Sequence, residues 1–408
     1  MAFMPILYVA HALDAPSHEW MRRMLHGLGS DVAMVATNSP ARTLAGVSFA
    51  VRVIAAPPLV HRAANRLGLL KRSPWEHYQS NAMRRLVARR DVTCVLVHFL
   101  TIAVTYSEAW ASCDKPVIVH CHGYDVTWDL RRYDGVPEHS TDYVERVLAL
   151  PNNVRFIANS LETRGRLRHI GIADERIHVK YLGVPVPECP RLHHKQDECT
   201  ILYVGRLVDC KAPDLVIQAF ELACRRGLRG RLIVAGDGML RVTCDLLRAR
   251  SPYRDRIDIL GAVDASVVGR LLSQADIFTA HNCRGAITNQ EEAFGVSIVE
   301  AMGAGLPVVS GRSGSLPEII QSGQEGILVE PGDVDAHAEA LLRLAASPEV
   351  RNRMGRNGWQ RARSMFSIEH EIEALRSILS LQKPRSQPSA VGDPAGAAPS
   401  PQRPDFTR

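Results

Sequence analysis

Aromatic residues make up only 6% of this 408-residue chain, and its charges nearly cancel, 49 Lys and Arg against 43 Asp and Glu for a formal net charge of +6. So small and scattered an excess excludes nucleic acid as the partner, while an anionic ligand or an anionic membrane surface stays compatible. The nine cysteines include no CxxC pair and their number is odd, which argues against a disulfide framework or a zinc ribbon. Reduced thiols place the chain in the cytoplasm. No stretch reaches the roughly 20 apolar residues that span a bilayer, so membrane contact can only be peripheral. The opening MAFMPILYVA lacks a basic start and a small-residue cleavage site, and reads as a first buried strand instead of a signal peptide. No acidic triplet follows a buried strand to hold Mg²⁺ or Mn²⁺. Asp333-Val334-Asp335 follows Pro331-Gly332 and precedes a helical pattern, where helix capping explains it better.

What the chain has in plenty is apolar residues, 46% of the total, in short β-branched runs each followed by a helical pattern. The runs are Ile6–Val9, Val32–Val35, Thr93–Val97, Val117–His120 and Val154–Ala158, then Thr200–Val204, Leu232–Ala235, Arg256–Leu260, Ile277–Thr279 and Val308–Ser310. Apolar on both faces, they predict parallel sheets covered by helices, an α/β class with right-handed crossovers. The alternation breaks at GVPVPECPRLHHKQDEC, which carries three prolines and no periodicity. The expected organisation is a first doubly wound domain over 1–187, a linker over 188–198 and a second domain over 199–365. A helix over 366–382 follows, with Ile372, Leu375, Ile378 and Leu379 on one side. The Pro-, Ala- and Ser-rich residues 383–408 cannot bury enough surface to offset their ordering entropy and are expected to be disordered. Two such domains leave a cleft between the carboxyl ends of their strands, where open α/β sheets bind ligands.

The most informative stretch is EEAFGVSIVEAMGAGLPVV, residues 291–309. Glu292 and Glu300 are separated by seven intervening residues, with Phe294-Gly295-Val296 where a loop turns into a helix. Gly295 lets the backbone approach a ligand, and the first N–H groups of the helix suit a diphosphate. Glu300, about a turn and a half into the helix, can accept hydrogen bonds from vicinal ribose hydroxyls. Glu292, still in the loop, faces the sugar beyond the phosphate. A bare pair of glutamates at this spacing is more often a solvated loop acid and a surface helix acid; the glycine, the helix start and the small residues after it reverse that in favour of a ligand site. In TILYVGRLVDCKAP, a buried strand ends at Gly205 and is followed by Arg206 and Lys211. These cations can neutralise a leaving diphosphate in place of a metal. Each alone could equally be a surface cation. His122 follows the strand Val117–His120 at its carboxyl edge, either as a functional imidazole or as a capping or packing residue. His120 lies on the same strand face, but no further ligands with zinc spacing are visible. Asp125 is equally read as the start of a turn or helix.

On these motifs the sequence resembles the retaining GT-B glycosyltransferases of glycosyltransferase family 4. GRLVDCKAP and EEAFGVSIVEAMGAGLPVV carry the resemblance, with VAGDGM, LGAV, ADIF, SGSLPEII and GILVEPGD in order around them. It is tight over about 200–331 and looser over the first domain. The resemblance implies two Rossmann-like domains facing across a cleft. It implies that Arg206 and Lys211 contact the donor diphosphate, Glu300 the ribose and Glu292 the donor sugar, and that Gly205, Phe294, Gly295 and Val296 line the donor site. Gly236, Gly238, Ala262 and Val263 are expected to line the base pocket. His122-Gly123-Tyr124-Asp125 looks like the family's HGxD segment, whose histidine meets the sugar next to the reacting carbon.

Two departures stand out. The family often has a glycine-rich loop after the first strand; here AHALDAPSHEW holds no glycine. The family's Pro-Ser after ADIF is replaced by Ala280-His281-Asn282. The expected activity is transfer of a sugar from a UDP- or GDP-sugar, with retention and without a catalytic metal or cofactor, to a hydroxyl of a glycan, a glycolipid or a small molecule, as in surface polysaccharide assembly. The alternatives are a nucleotide-sugar 2-epimerase of related GT-B fold and a non-catalytic nucleotide-sugar-binding subunit. Residues 61–90 hold eight Lys or Arg and one Glu, with Leu67, Leu69, Leu70, Trp75 and Tyr78 interleaved. They leave two readings open: a face resting on anionic lipid at the inner side of the membrane, or a solvated helical face.

Overall fold

A computed structural model describes residues 5–11, 13, 18–37, 50–53, 74–192 and 198–381. The first seven strands are β1 (Ile6–Ala10), β2 (Val32–Thr37), β3 (Val51–Val53), β4 (Cys94–His98), β5 (Val117–Cys121), β6 (Val154–Ala158) and β7 (Ile177–Val179). They form one parallel sheet in the order β3-β2-β1-β4-β5-β6-β7. The next six are β8 (Cys199–Val204), β9 (Gly230–Ala235), β10 (Ile257–Gly261), β11 (Ile277–Thr279), β12 (Val308–Gly311) and β13 (Gly326–Val329). They form a second parallel sheet in the order β10-β9-β8-β11-β12-β13.

Every residue of β1, β4 and β5 is buried. Strands covered on both faces must be apolar throughout, which is why these runs stand out in the sequence. The runs expected there fall within a residue or two of the observed strands. Three further strands, Val51–Val53, Ile177–Val179 and Gly326–Val329, lie at the sheet edges, where no long continuous apolar run is required. Between the strands, helices are capped in the usual way. Asp333 accepts from Ala336 N at 2.8 Å, so the Asp333–Asp335 acids serve a helix start as expected.

The chain returns to the first sheet at its end. Val184 N donates to Phe366 O at 2.8 Å, and the helix Ile368–Leu381 then packs on the helix Glu19–Leu28 of the first domain. Its stripe of Ile372, Leu375, Ile378 and Leu379 is buried, and Arg376 Nε donates to Asp31 Oδ2 at 2.8 Å. Beneath this crossing Lys180 forms a fully buried ion pair with Glu371. The expected disordered tail, 383–408, and residues 61–73 of the basic segment lie outside the described residues, as do the side chains of Trp75 and Tyr78. No described helix is long and apolar enough to cross a membrane.

Candidate active site

Each sheet reverses its strand order between its first and fourth strands, β1 and β4 in one, β8 and β11 in the other. Such a switch point splays the loops at the carboxyl ends and opens a crevice. The two crevices face each other and enclose a cavity of about 1140 Å³. The loops after β8 and β11 supply Gly205, Arg206, Lys211, Glu292, Phe294, Gly295, Val296 and Glu300 to its wall. Those after β9 and β10 supply Gly236, Asp237, Ala262 and Val263. Of the donor-site residues expected from sequence, Gly238 alone is set back from the cavity, under the Leu207 carbonyl, and Asp237 takes its place in the wall. The first domain contributes His122, along with Trp20, Phe99 and Tyr124, which the sequence did not single out.

The charged groups converge. Lys211 Nζ ion-pairs with Glu292 Oε2, and Asn282 Nδ2 donates to the same oxygen at 2.7 Å. Burial pushes the Glu292 carboxyl up, but the Lys211 ammonium, the Phe294 N–H and Arg206 together outweigh this and hold it below the usual carboxylate value. Glu292 is therefore an anion at neutral pH. Arg206 lies exposed at the cavity, with no ion pair among the described residues. Gly295 adopts φ 81° as the N-cap of the helix Val296–Gly303. The first intrahelical bond runs from Ile298 N to Gly295 O at 2.9 Å, so the amides of Val296 and Ser297 precede it, both in residues of the cavity wall.

Glu300 sits in the same wall but is not alone. Its Oε1 accepts from Arg23 Nη2 of the first domain at 2.6 Å. No local sequence signal could have found this partner, 277 residues away. Asn282 was signalled only as a departure from the family pattern, and the structure places it on Glu292.

His122 is held by its loop. Asp125, fully buried, accepts at Oδ1 from His122 N at 2.8 Å and Gly123 N at 2.9 Å, and at Oδ2 from Leu100 N at 2.7 Å. Asp125 thus does more than start a turn: it ties the loop after β5 to the loop after β4. The His122 ring lies 4.3 Å from Trp20 and 4.7 Å from Phe99, centroid to centroid. Phe99 itself holds φ 75°, a conformation that costs a non-glycine residue energy and recurs at functional sites. Enclosure first, then the nearby His98 and Lys180, pushes the His122 imidazole well below its ordinary value and keeps it neutral.

Along one rim the domains are fastened directly. Arg166 pairs with Glu291 and Arg284 with Asp129, each at 2.6 Å. Arg131 N donates to Thr288 O at 3.0 Å. Tyr133 OH bonds Asp209, whose carboxylate also gathers Thr288 and Ile287 N–H groups.

Comparison with known proteins agrees with this architecture. The family of glycosyl transferases group 1 matches residues 189–361, and glycosyltransferase family 4 matches residues 19–187. A D-inositol 3-phosphate glycosyltransferase of Thermobifida fusca is 30% identical over 59% of this chain and 57% of its own length. A GDP-mannose-dependent alpha-(1-6)-phosphatidylinositol monomannoside mannosyltransferase of Mycobacterium tuberculosis is 27% identical over 68% of this chain and 72% of its own. The chain spans about half the length of most curated relatives it matches. Anabaena Alr3699/HepE, solved in complex with UDP and glucose, superposes with a TM-score of 0.73 at 17% identity, over 93% of this chain and 100% of that one. The two facing, doubly wound domains are the GT-B fold, and the chain belongs to the group 1 glycosyl transferases of glycosyltransferase family 4.

Proposed function

We propose that this protein transfers a sugar from a nucleoside-diphosphate sugar to an acceptor hydroxyl, with retention at the anomeric carbon and without a catalytic metal. The observation that carries the reading is the convergence of Arg206, Lys211, Glu292, Glu300 and His122 on one cavity between the two sheets. Arg206, Lys211 and the start of the helix Val296–Gly303 meet the diphosphate, whose charge grows as the glycosidic bond breaks. Glu300 takes the ribose hydroxyls. Glu292, anionic beside Lys211, orients the donor sugar from one side, and neutral His122 from the other.

The acceptor hydroxyl approaches from the face the diphosphate leaves, and the departing phosphate oxygen accepts its proton. On this route positioning and charge stabilisation provide the catalysis, and no separate protein base is needed. UDP and GDP are the first nucleotides to test, since the solved neighbour binds UDP and one relative's name specifies GDP-mannose. Relatives named for inositol-based acceptors make polyhydroxylated acceptors, free or lipid-linked, the first to try. Contact of the basic segment 61–90 with anionic lipid is part of the same reading and is checked by co-sedimentation with anionic vesicles.

A panel of nucleotide sugars screened by thermal shift identifies the donor, because a specific ligand stabilises the state it binds. NMR of the product with that donor and an acceptor then reads the anomeric configuration. An inverted product would overturn retention. Donor turned over to its 2-epimer without any acceptor would overturn transfer.

A further inference from the structure

His98 ends β4, His120 lies in β5 and His122 follows it, so three imidazoles from adjacent strands meet behind the cavity wall. The first two are fully buried. Each offers a ring nitrogen, and these nitrogens all lie within 4.8 Å of one another. His98 Nδ1 and His122 Nε2 are 3.2 Å apart. That is close to the separation of about 3.3 Å between two nitrogens bound tetrahedrally to zinc at roughly 2.0–2.1 Å.

A second observation points to a ligand. His98 Nε2 and both nitrogens of His120 are buried without a hydrogen-bond partner among the described residues. Buried polar atoms in native proteins are nearly always paired, and an ion bound through one His120 nitrogen would give that atom the partner it lacks. The positive charge that bears on all three rings, Lys180, is itself paired with Glu371. His122 also belongs to the cavity wall, so the cluster borders the cavity on that side.

We propose that His98, His120 and His122 form a site for a divalent transition-metal ion of the zinc class, and that filling it takes His122 away from the donor sugar. The imidazole set suits Zn²⁺, Co²⁺, Ni²⁺ or Cu²⁺ and disfavours Mg²⁺ and Ca²⁺. Only the second half of the proposal rests on the glycosyltransferase reading. The ion is not a participant in the transfer; it competes with it.

The test uses the full, untagged chain, stripped with a chelator and titrated with Co²⁺. One equivalent is expected to give the intense visible bands of a four-coordinate ion, and Zn²⁺ is expected to bleach them one for one. His98→Asn is expected to weaken Co²⁺ binding at least tenfold; should it not fold, by circular dichroism, His122→Asn on the cavity wall serves instead. No bands in the wild type, or bands of equal affinity in the folded variant, would overturn the site. With donor and acceptor present, Zn²⁺ at one equivalent is expected to slow transfer at least tenfold and a chelator to restore it. Unchanged turnover with the bands intact would overturn the competition while leaving the site standing.

Discussion

Gly123 and Ala293 touch across the cleft, one residue from His122 on one side and one residue from Glu292 on the other. A Cβ placed on Gly123 would stand 2.6 Å from the Ala293 Cβ, and Gly123 adopts φ 115°. The bare glycine thus sets how closely the proposed sugar-contacting groups of the two domains approach. Gly123→Ala is expected to destabilise the fold by about 1–3 kcal/mol, since it adds a clash to a backbone conformation that alanine resists. It is also expected to lower kcat/KM by more than stability explains. Adding Ala293→Gly removes the clash and leaves the strain, so the double variant should recover activity more than melting temperature. Recovery of both, or of neither, would contradict this account.

Glu300 is already engaged by Arg23, so the donor ribose must share or displace that guanidinium. Glu300→Ala is expected to weaken nucleotide binding by ~2–4 kcal/mol, from two charge-assisted hydrogen bonds less the ion pair surrendered. Arg23→Ala should leave nucleotide affinity unchanged or tighten it by up to about 1 kcal/mol. Calorimetry on both variants decides. If Arg23→Ala costs as much as Glu300→Ala, the arginine is a donor contact and not a competitor.

Lys211 has two tasks, keeping Glu292 ionised and meeting the diphosphate. Lys211→Met is expected to lower kcat by about 10²–10³, the usual cost of one preorganised charge-stabilising donor. The second task predicts something separate. With the ammonium gone, burial dominates and the Glu292 value rises. The acid limb of the variant's pH–rate profile should therefore move to higher pH. A lower rate with an unmoved limb would mean that Glu292 ionisation does not limit the reaction.

The second domain's site was legible in the sequence because its residues sit close together along the chain. Glu292, Gly295 and Glu300 are fixed by one loop and one helix start, and Arg206 and Lys211 by one strand end. What could not be read is what only the meeting of two domains creates. Arg23 on Glu300, Gly123 against Ala293 and Trp20 beside His122 join positions that no periodicity links. His98 shows the same limit within one domain. It stands just past the apolar run Thr93–Val97, and only the parallel pairing of β4 with β5, His98 opposite His120, makes it one of three. The edge strands Val51–Val53 and Ile177–Val179 are interrupted by Arg52 and His178, so they show no apolar run to detect.

Buried histidines make the fold sensitive to acid. Burial pushes His98 and His337 down to about 3 and His281 to about 4. In the second domain the tautomers follow from the bonds. Gly332 N donates to His281 Nε2 at 2.8 Å, so His281 Nδ1 carries the proton and donates to His337 Nδ1 at 2.9 Å. His337 Nε2–H then donates to Thr279 Oγ1 at 2.7 Å. Unfolded, these rings titrate near 6.5. Below that pH the unfolded chain binds more protons, so stability is complete above about 6.5 and is lost as pH falls towards 3–4. Each ring contributes a slope of up to ~1.4 kcal/mol per pH unit in that window. His337→Gln should show a shallower loss of melting temperature between pH 7 and 5 than the wild type, and equal slopes would refute the assignment.

Lys180 and Glu371 join the end of the first sheet to the returning C-terminal helix through an ion pair with 1% and 2% of its side chains exposed. Glu371 also lies against Gly183, where a Cβ would come within 2.9 Å of its side chain, so the pair sits in a closely packed crossing. Removing one partner strands a charge: Glu371→Gln is expected to cost about 3–5 kcal/mol, read from urea unfolding. Burial already lowers the Lys180 value, and without the carboxylate it should fall further, so the variant's deficit should shrink as pH rises and the ammonium can shed its proton. The pair itself is a different matter from either charge. Replacing both by apolar side chains in Lys180→Met/Glu371→Leu should restore much of the stability, because two desolvated charges roughly break even against well-packed carbon. A double variant as unstable as Glu371→Gln would mean that the pair's hydrogen bonds, and not its charge balance, hold the helix in place.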